Sequence, residues 1–393
     1  MIKSEKIILL FLISSASVLA TFISPEIGLI KAYFSLTNDQ AGMVMTYYLA
    51  GYLIGQFAWA YISNLIGRVT GISVGAFVAI IGSILLLYSY GHHNFNVFII
   101  SRSIIGFGLS AGLVCGFAII KENLTRETQK KYLALVAVFF TASIYTSISI
   151  SGYIVQHSSL YLIFWSIFCL CSGFFILSNF FKTTANKNDK KCKVSENIKP
   201  KGYPQLITYS FTLSITTIIA YCYAFYAPLI TSQLFSLSPE SYGNYSLANM
   251  ASIFFGSFFF SILNKRHSET TICFIGLTLV ILSSLCFIQN FCDLKSSVNA
   301  FFLYCSLLSF SSGMIYPAST YIALEFSGCK ARASAIMNAI KLSLPIIAIY
   351  FSTKIFESDL NGFCFTILSF SIIYFLLLYF VKPRLTKIQL VIT

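Results

Sequence analysis

Three side chains carry charge where the surrounding sequence is apolar. Arg102 lies in the run 96–120, Lys341 in the run 333–353, and Glu26 toward the end of the run 7–30, beside Pro25. A charge at bilayer depth costs about 3 kcal/mol or more, so an ionisable residue there is first a candidate functional group. Two cations without a deep carboxylate suit an anion, because a guanidinium grips a carboxylate bidentately and an ammonium supplies a point charge. Glu26 is the acid placed to take up a proton; the alternative is an interfacial residue in contact with water. Lys341, near Asn338, Ser343 and Pro345, either lines a cavity or lies against backbone carbonyls, since reaching the surface would take its side chain roughly 10 Å. Arg102 is either a functional charge or a structural one.

Uncharged polar residues supply the rest of a site. Tyr48, Tyr52, Gln56 and Trp59 recur every three or four residues and so share one helix face. Thr217, Tyr221 and Pro228 mark a later run, Asn249 the next, and Ser309, Ser312, Tyr316 and Thr320 another. The candidate solute-binding set is Lys341, Arg102, Asn338, Tyr52, Gln56, Tyr221, Asn249 and Tyr316, with Glu26 and Arg102 as proton-coupling candidates. No catalytic or metal-binding cluster accompanies them. His92, His93 and His157 fall in short turns without Asp or Glu at ligand spacing, and the 11 cysteines form no Cys-x-x-Cys pair. An enzyme, a metal and a cofactor are therefore not expected.

The elements that hold these residues must span a membrane. Of 393 residues 57% are apolar and 10% charged, against about one quarter charged in soluble domains. Mean hydropathy is +0.79. Apolar stretches fall at 7–30, 41–62, 70–90, 96–120, 132–155, 159–180, 205–231, 243–263, 271–290, 298–324, 333–353 and 362–381, each near the ~20 residues a helical span needs. The seven-lysine stretch 182–204 separates a first half, 1–181, from a second, 205–393. The reading is an all-α membrane protein of twelve helices in two six-helix bundles. With both termini inside, 21 of the 26 Lys and Arg fall on the inner side, three on the outer and two within spans. The net charge of +13 is therefore a topology signal and not a nucleic-acid footprint. The halves echo each other near an offset of 200, Gly55 with Gly256 and Gly112 with Gly313.

Several motifs then resemble those of the major facilitator superfamily, over essentially the whole chain. The loop after the second span reads Ala60-Tyr61-Ile62-Ser63-Asn64-Leu65-Ile66-Gly67-Arg68, with Asn64 where the family carries Asp. The fourth span keeps Arg102, Gly106, Gly108 and Gly112; the fifth keeps Ser143, Ser147, Ser151 and Gly152 of an exporter motif whose proline is missing. The tenth and eleventh keep Gly313, Pro317 and Ala333-Ser334-Ala335. The details are most similar to the twelve-span drug-efflux branch that includes bicyclomycin and chloramphenicol resistance proteins. That branch usually shows Asp-x-Tyr-Leu-Pro in its first span; Thr21-Phe22-Ile23-Ser24-Pro25 lacks the acid.

The resemblance implies a gate at Asn64, Gly67 and Arg68, and close helix packing at Gly106, Gly108, Gly112 and Gly152. It implies a cavity lined by the first, fourth, seventh and tenth spans, and two bundles alternating access around it. Together with the cationic pair, it leads to a proton-coupled secondary transporter of an anionic or carboxylate-bearing metabolite or siderophore. Drug/proton antiport, uptake of an amino or organic acid, and a non-transporting sensor are the alternatives. The expected partners are a small solute, protons and membrane lipid. A monomer in a bacterial inner membrane, both termini cytoplasmic, completes the expectation.

Overall fold

A computed structural model of the chain describes residues 3–124, 126–180, 203–289, 297–325, 330–356 and 360–389. The predicted linker lies outside them, apart from its last two residues. Every element among the described residues is a helix: α1 (Lys3–Thr21), α2 (Ile27–Tyr33), α3 (Asn38–Ile66), α4 (Arg68–Gly91), α5 (Phe95–Asn123), α6 (Arg126–His157), α7 (Leu160–Asn179), α8 (Tyr203–Phe235), α9 (Pro239–Leu263), α10 (Glu269–Gln289), α11 (Val298–Glu325), α12 (Lys330–Ile355) and α13 (Leu360–Gln389). Nine of these are long and apolar enough to cross a bilayer by length and composition. The expectation of an all-helical membrane fold holds, with one amendment: the first apolar run is two helices.

The break between α1 and α2 follows from Ser24-Pro25. Proline has no N–H for the ladder and disfavours helical geometry in the residue before it. The Phe22 N–H still reaches the Val18 carbonyl at 2.8 Å, but the Ser24 N–H turns back to Thr21 at 2.9 Å. Glu26 then occupies the position preceding α2 without capping it through its side chain.

Packing divides the chain into two compact units, residues 1–187 with 236–247, and residues 188–235 with 248–393. In the first, α5 packs on α1, α3 and α4, while α6 meets α1 and α7 meets α4. Glycine permits the close approach. A Cβ at Gly112 would lie 2.1 Å from the Leu12 carbonyl oxygen, and one at Gly106 would lie 2.4 Å from that of Tyr48. The residues 236–247, from the second half of the sequence, belong here too: a Cβ at Gly152 of α6 would lie 2.4 Å from the Pro239 carbonyl oxygen.

In the second unit α8 is the central element and is buried along most of its length, as its all-round apolar sequence requires. It packs on α11, α12 and α13, and α10 closes against α11 and α13. The repeat noted in the sequence holds at one pair of glycines. Gly55 abuts the Phe107 carbonyl oxygen of α5, and Gly256 abuts that of Phe310 in α11, the same contact in each unit. At the other pair it does not hold, since Gly112 faces α1 whereas Gly313 faces Ile253 of α9. In the first unit it is Gly106, against Tyr48 of α3, that makes the contact equivalent to Gly313's.

Candidate functional site

The first unit gathers Arg102, Glu26 and Tyr48. Arg102 is fully buried on α5, and its guanidinium donates to the carbonyls of Leu19 at 3.1 Å and Ala20 at 3.4 Å. Those carbonyls belong to the last turn of α1, where a helix end leaves acceptors without intrahelical partners. Arg102 therefore caps the break in the first span from a neighbouring helix. Its charge lies 4.3 Å from the centre of the Tyr48 ring, a cation–π contact. Tyr48 is fixed in turn by its hydroxyl, which donates to the Ala16 carbonyl at 2.6 Å. The Arg102 Nε–H has no partner.

Glu26 is also fully buried, which removes the water-facing alternative. Neither carboxyl oxygen makes a hydrogen bond. Arg102 acts on it as a nearby charge, and the Ser151 hydroxyl of α6 lies beside it. Among the described residues Glu26 enters no ion pair; the two pairs formed are Arg68–Glu122 and His157–Glu240. Acid and base are thus neighbours that do not touch, each with an unsatisfied buried atom facing the cost of desolvation.

The remaining face of α3 is mostly engaged in packing. Trp59 donates through Nε1 to the Phe107 carbonyl at 2.8 Å, and Tyr52 is buried against α5 near Gly106. Gln56 is half-buried, with its Nε2 unpartnered.

The second unit gathers Lys341, Tyr316 and Thr217. The Lys341 Nζ lies 4.9 Å from the centre of the Tyr316 ring, so the side chain points from α12 to α11. The Thr217 hydroxyl of α8 donates to the Lys341 carbonyl at 2.8 Å. Lys341 keeps partial exposure, as does Asn338 one turn away. Tyr221 lies one turn beyond Thr217 and is buried. Asn249 stands apart: its Oδ1 accepts from Ser306 at 3.1 Å, tying α9 to α11, and its Nδ2 is buried without a partner.

At the α3–α4 turn, Gly67 has φ +93°, in the left-handed region that favours glycine. Arg68 donates to Ser63 at 2.7 Å and pairs with Glu122 at 3.3 Å, joining the start of α4 to the end of α5. Asn64 is exposed and donates to the Ala60 carbonyl of its own helix at 2.8 Å.

A further cluster left little trace in the sequence. Ser24 bonds the buried Tyr242 hydroxyl at 2.9 Å, and His157 lies 3.9 Å from Glu240. Both join the segment 236–247 to the rest of the first unit. The one available hint was Gly152, whose missing side chain admits Pro239.

Comparison with known proteins follows the same lines. The family model for the Major Facilitator Superfamily matches residues 8–349. A protein of Rickettsia bellii described as an uncharacterized transporter is 22% identical over 96% of this chain and 97% of its own length. Another, from Rickettsia felis and described in the same words, is 24% identical over 68% of this chain and 66% of its own. The inward-open xylose transporter XylE from E. coli superposes with a TM-score of 0.76 at 12% identity, over 96% of each chain.

Proposed function

The chain belongs to the major facilitator superfamily, and from that membership we propose a proton-coupled carrier of an anionic, carboxylate-bearing solute. Transport of a small solute through a multi-pass helical protein follows from the family; solute class, coupling and orientation are the proposal. Two bundles, residues 1–181 and 205–393 joined by 182–204, alternate access in it. The observation that carries the solute class is Lys341. The residue is partly exposed and its ammonium is held over Tyr316, a position from which we propose it meets a solute. Asn338 and Tyr221 lie one turn from Lys341 and Thr217 and add hydrogen-bonding groups.

Coupling falls to Glu26 and Arg102. The structure has Glu26 unpaired and Arg102 with a spare Nε–H. A protonated Glu26 fits that arrangement, and an ionised one would close on the guanidinium. Proton uptake and release thereby alternate the contacts of the first span. The gate residues Asn64, Gly67 and Arg68 act at the α3–α4 turn. The Lys and Arg bias supports cytoplasmic termini in a bacterial inner membrane. A carboxylate metabolite or siderophore suits the Lys341 ammonium better than the lipophilic cations of drug/proton antiport would.

Flux into proteoliposomes under an imposed pH gradient tests this reading. Labelled di- and tricarboxylates should accumulate in preference to tetraphenylphosphonium. Equal handling of both, or accumulation that ignores the gradient, would remove the solute class or the coupling respectively.

A further inference from the structure

Outside the polar clusters, the second unit carries an apolar groove of about 660 Å³ between α10 and α13. That is within the size of pockets that take small ligands, about 300–1,000 Å³. Its walls are Phe274, Ile275, Thr278 and Leu279 from α10 and Phe375 and Phe380 from α13, with Thr271 at one end. The Phe274 and Phe375 rings meet edge to face at 5.3 Å, joining its two walls, while Phe380 is 69% exposed. A groove so apolar on the flank of a membrane protein is filled by hydrocarbon.

Its Thr271 end is basic. Lys265 and Arg266 sit in the turn before α10, both exposed and, among the described residues, in no ion pair. The turn is closed by backbone bonds, Asn264 to Phe260 at 2.8 Å and Arg266 to Leu263 at 2.9 Å. It is tied to the groove by the Ser268 hydroxyl, 2.9 Å from that of Thr271. Glu269 is the acid of this stretch and leaves it net positive. Basic clusters at the end of an intramembrane groove hold lipid headgroups.

We infer that one anionic glycerophospholipid docks here, an acyl chain in the α10–α13 groove and its phosphate against Lys265 and Arg266.

Native mass spectrometry tests this on the purified full chain in detergent, offered phosphatidylglycerol and phosphatidylcholine with identical acyl chains. Phosphatidylglycerol should be retained in preference, by about fivefold per basic residue. The double variant Lys265→Glu, Arg266→Glu should lose that preference while still retaining lipid. Thr278→Trp, which fills the groove, should shed both lipids. Thermal melting of each variant in detergent reports whether the fold survives, and Lys265→Gln, Arg266→Gln replaces the charge reversal if it does not. Equal retention of the two lipids by the unmodified chain would overturn the inference, as would a preference untouched by the charge variants. Displacement by soluble glycerol 3-phosphate alone would overturn the acyl-chain part.

Discussion

The guanidinium of Arg102 and the ring of Tyr48 lie 4.3 Å apart, fully buried, and each is also bonded to the backbone of α1. Two side chains from different helices thus grip the end of one broken span. The arginine that the sequence marks as a candidate for proton movement is at the same time a structural cap.

Replacing Arg102 by Ala should therefore destabilise the protein, by about 3 kcal/mol, because two carbonyls lose a charged donor and Tyr48 loses its cation. Arg102→Lys should recover part of this, a single ammonium serving one carbonyl at a time. Thermal melting in detergent measures both; an unchanged Ala variant would refute the capping role.

Charge reversal at Lys341 should lower flux of acidic solutes by about thirtyfold or more, because an attractive charge facing the solute becomes a repulsive one. Lys341→Arg should keep the charge but alter the geometry, so that flux persists with changed preference among acids. Proteoliposome uptake of a panel of carboxylates reads both effects.

Glu26→Gln should uncouple rather than inactivate. A carboxamide cannot release a proton, so uptake against a gradient should fall to background while solute exchange across the membrane at equal pH continues. Counterflow and gradient-driven accumulation, measured side by side, separate the two. Loss of both would place Glu26 in folding or solute binding instead.

At Gly112 even a methyl group has no room, its Cβ falling 2.1 Å from the Leu12 carbonyl oxygen. Gly112→Val should cost about 3 kcal/mol by forcing α5 from α1, whereas Gly173, with open space around it, should tolerate Ala at little cost. Expression yield and melting temperature of the pair would show the contrast.

Much of the fold was legible because a bilayer leaves few options. Runs near twenty apolar residues become helices, and the glycines of α5 report where backbones touch. Ser24-Pro25 could have warned that the first run would break; its apolar length concealed the interruption. The burial of Glu26 was not legible, since a residue at the end of a run is equally suited to water. Lys341 was legible as a charge out of place, but its direction toward Tyr316 depends on the rotation of α12, which a weakly periodic sequence does not set. The docking of residues 236–247 on α6 rests on contacts between segments more than 80 residues apart in sequence, and no local pattern encodes them.

The interruption at Ser24-Pro25 gives the first span a joint. A continuous helix transmits push and twist from end to end, whereas here the two pieces share only a short bridge, and Arg102 holds the α1 side of it. Because Ser24, Pro25 and Glu26 lie outside both helices, a rotation there would leave the hydrogen-bond ladder of α1 intact. In the proposed coupling, a proton gained or lost at Glu26 would act at this joint, where a few atoms set the angle of a whole rod.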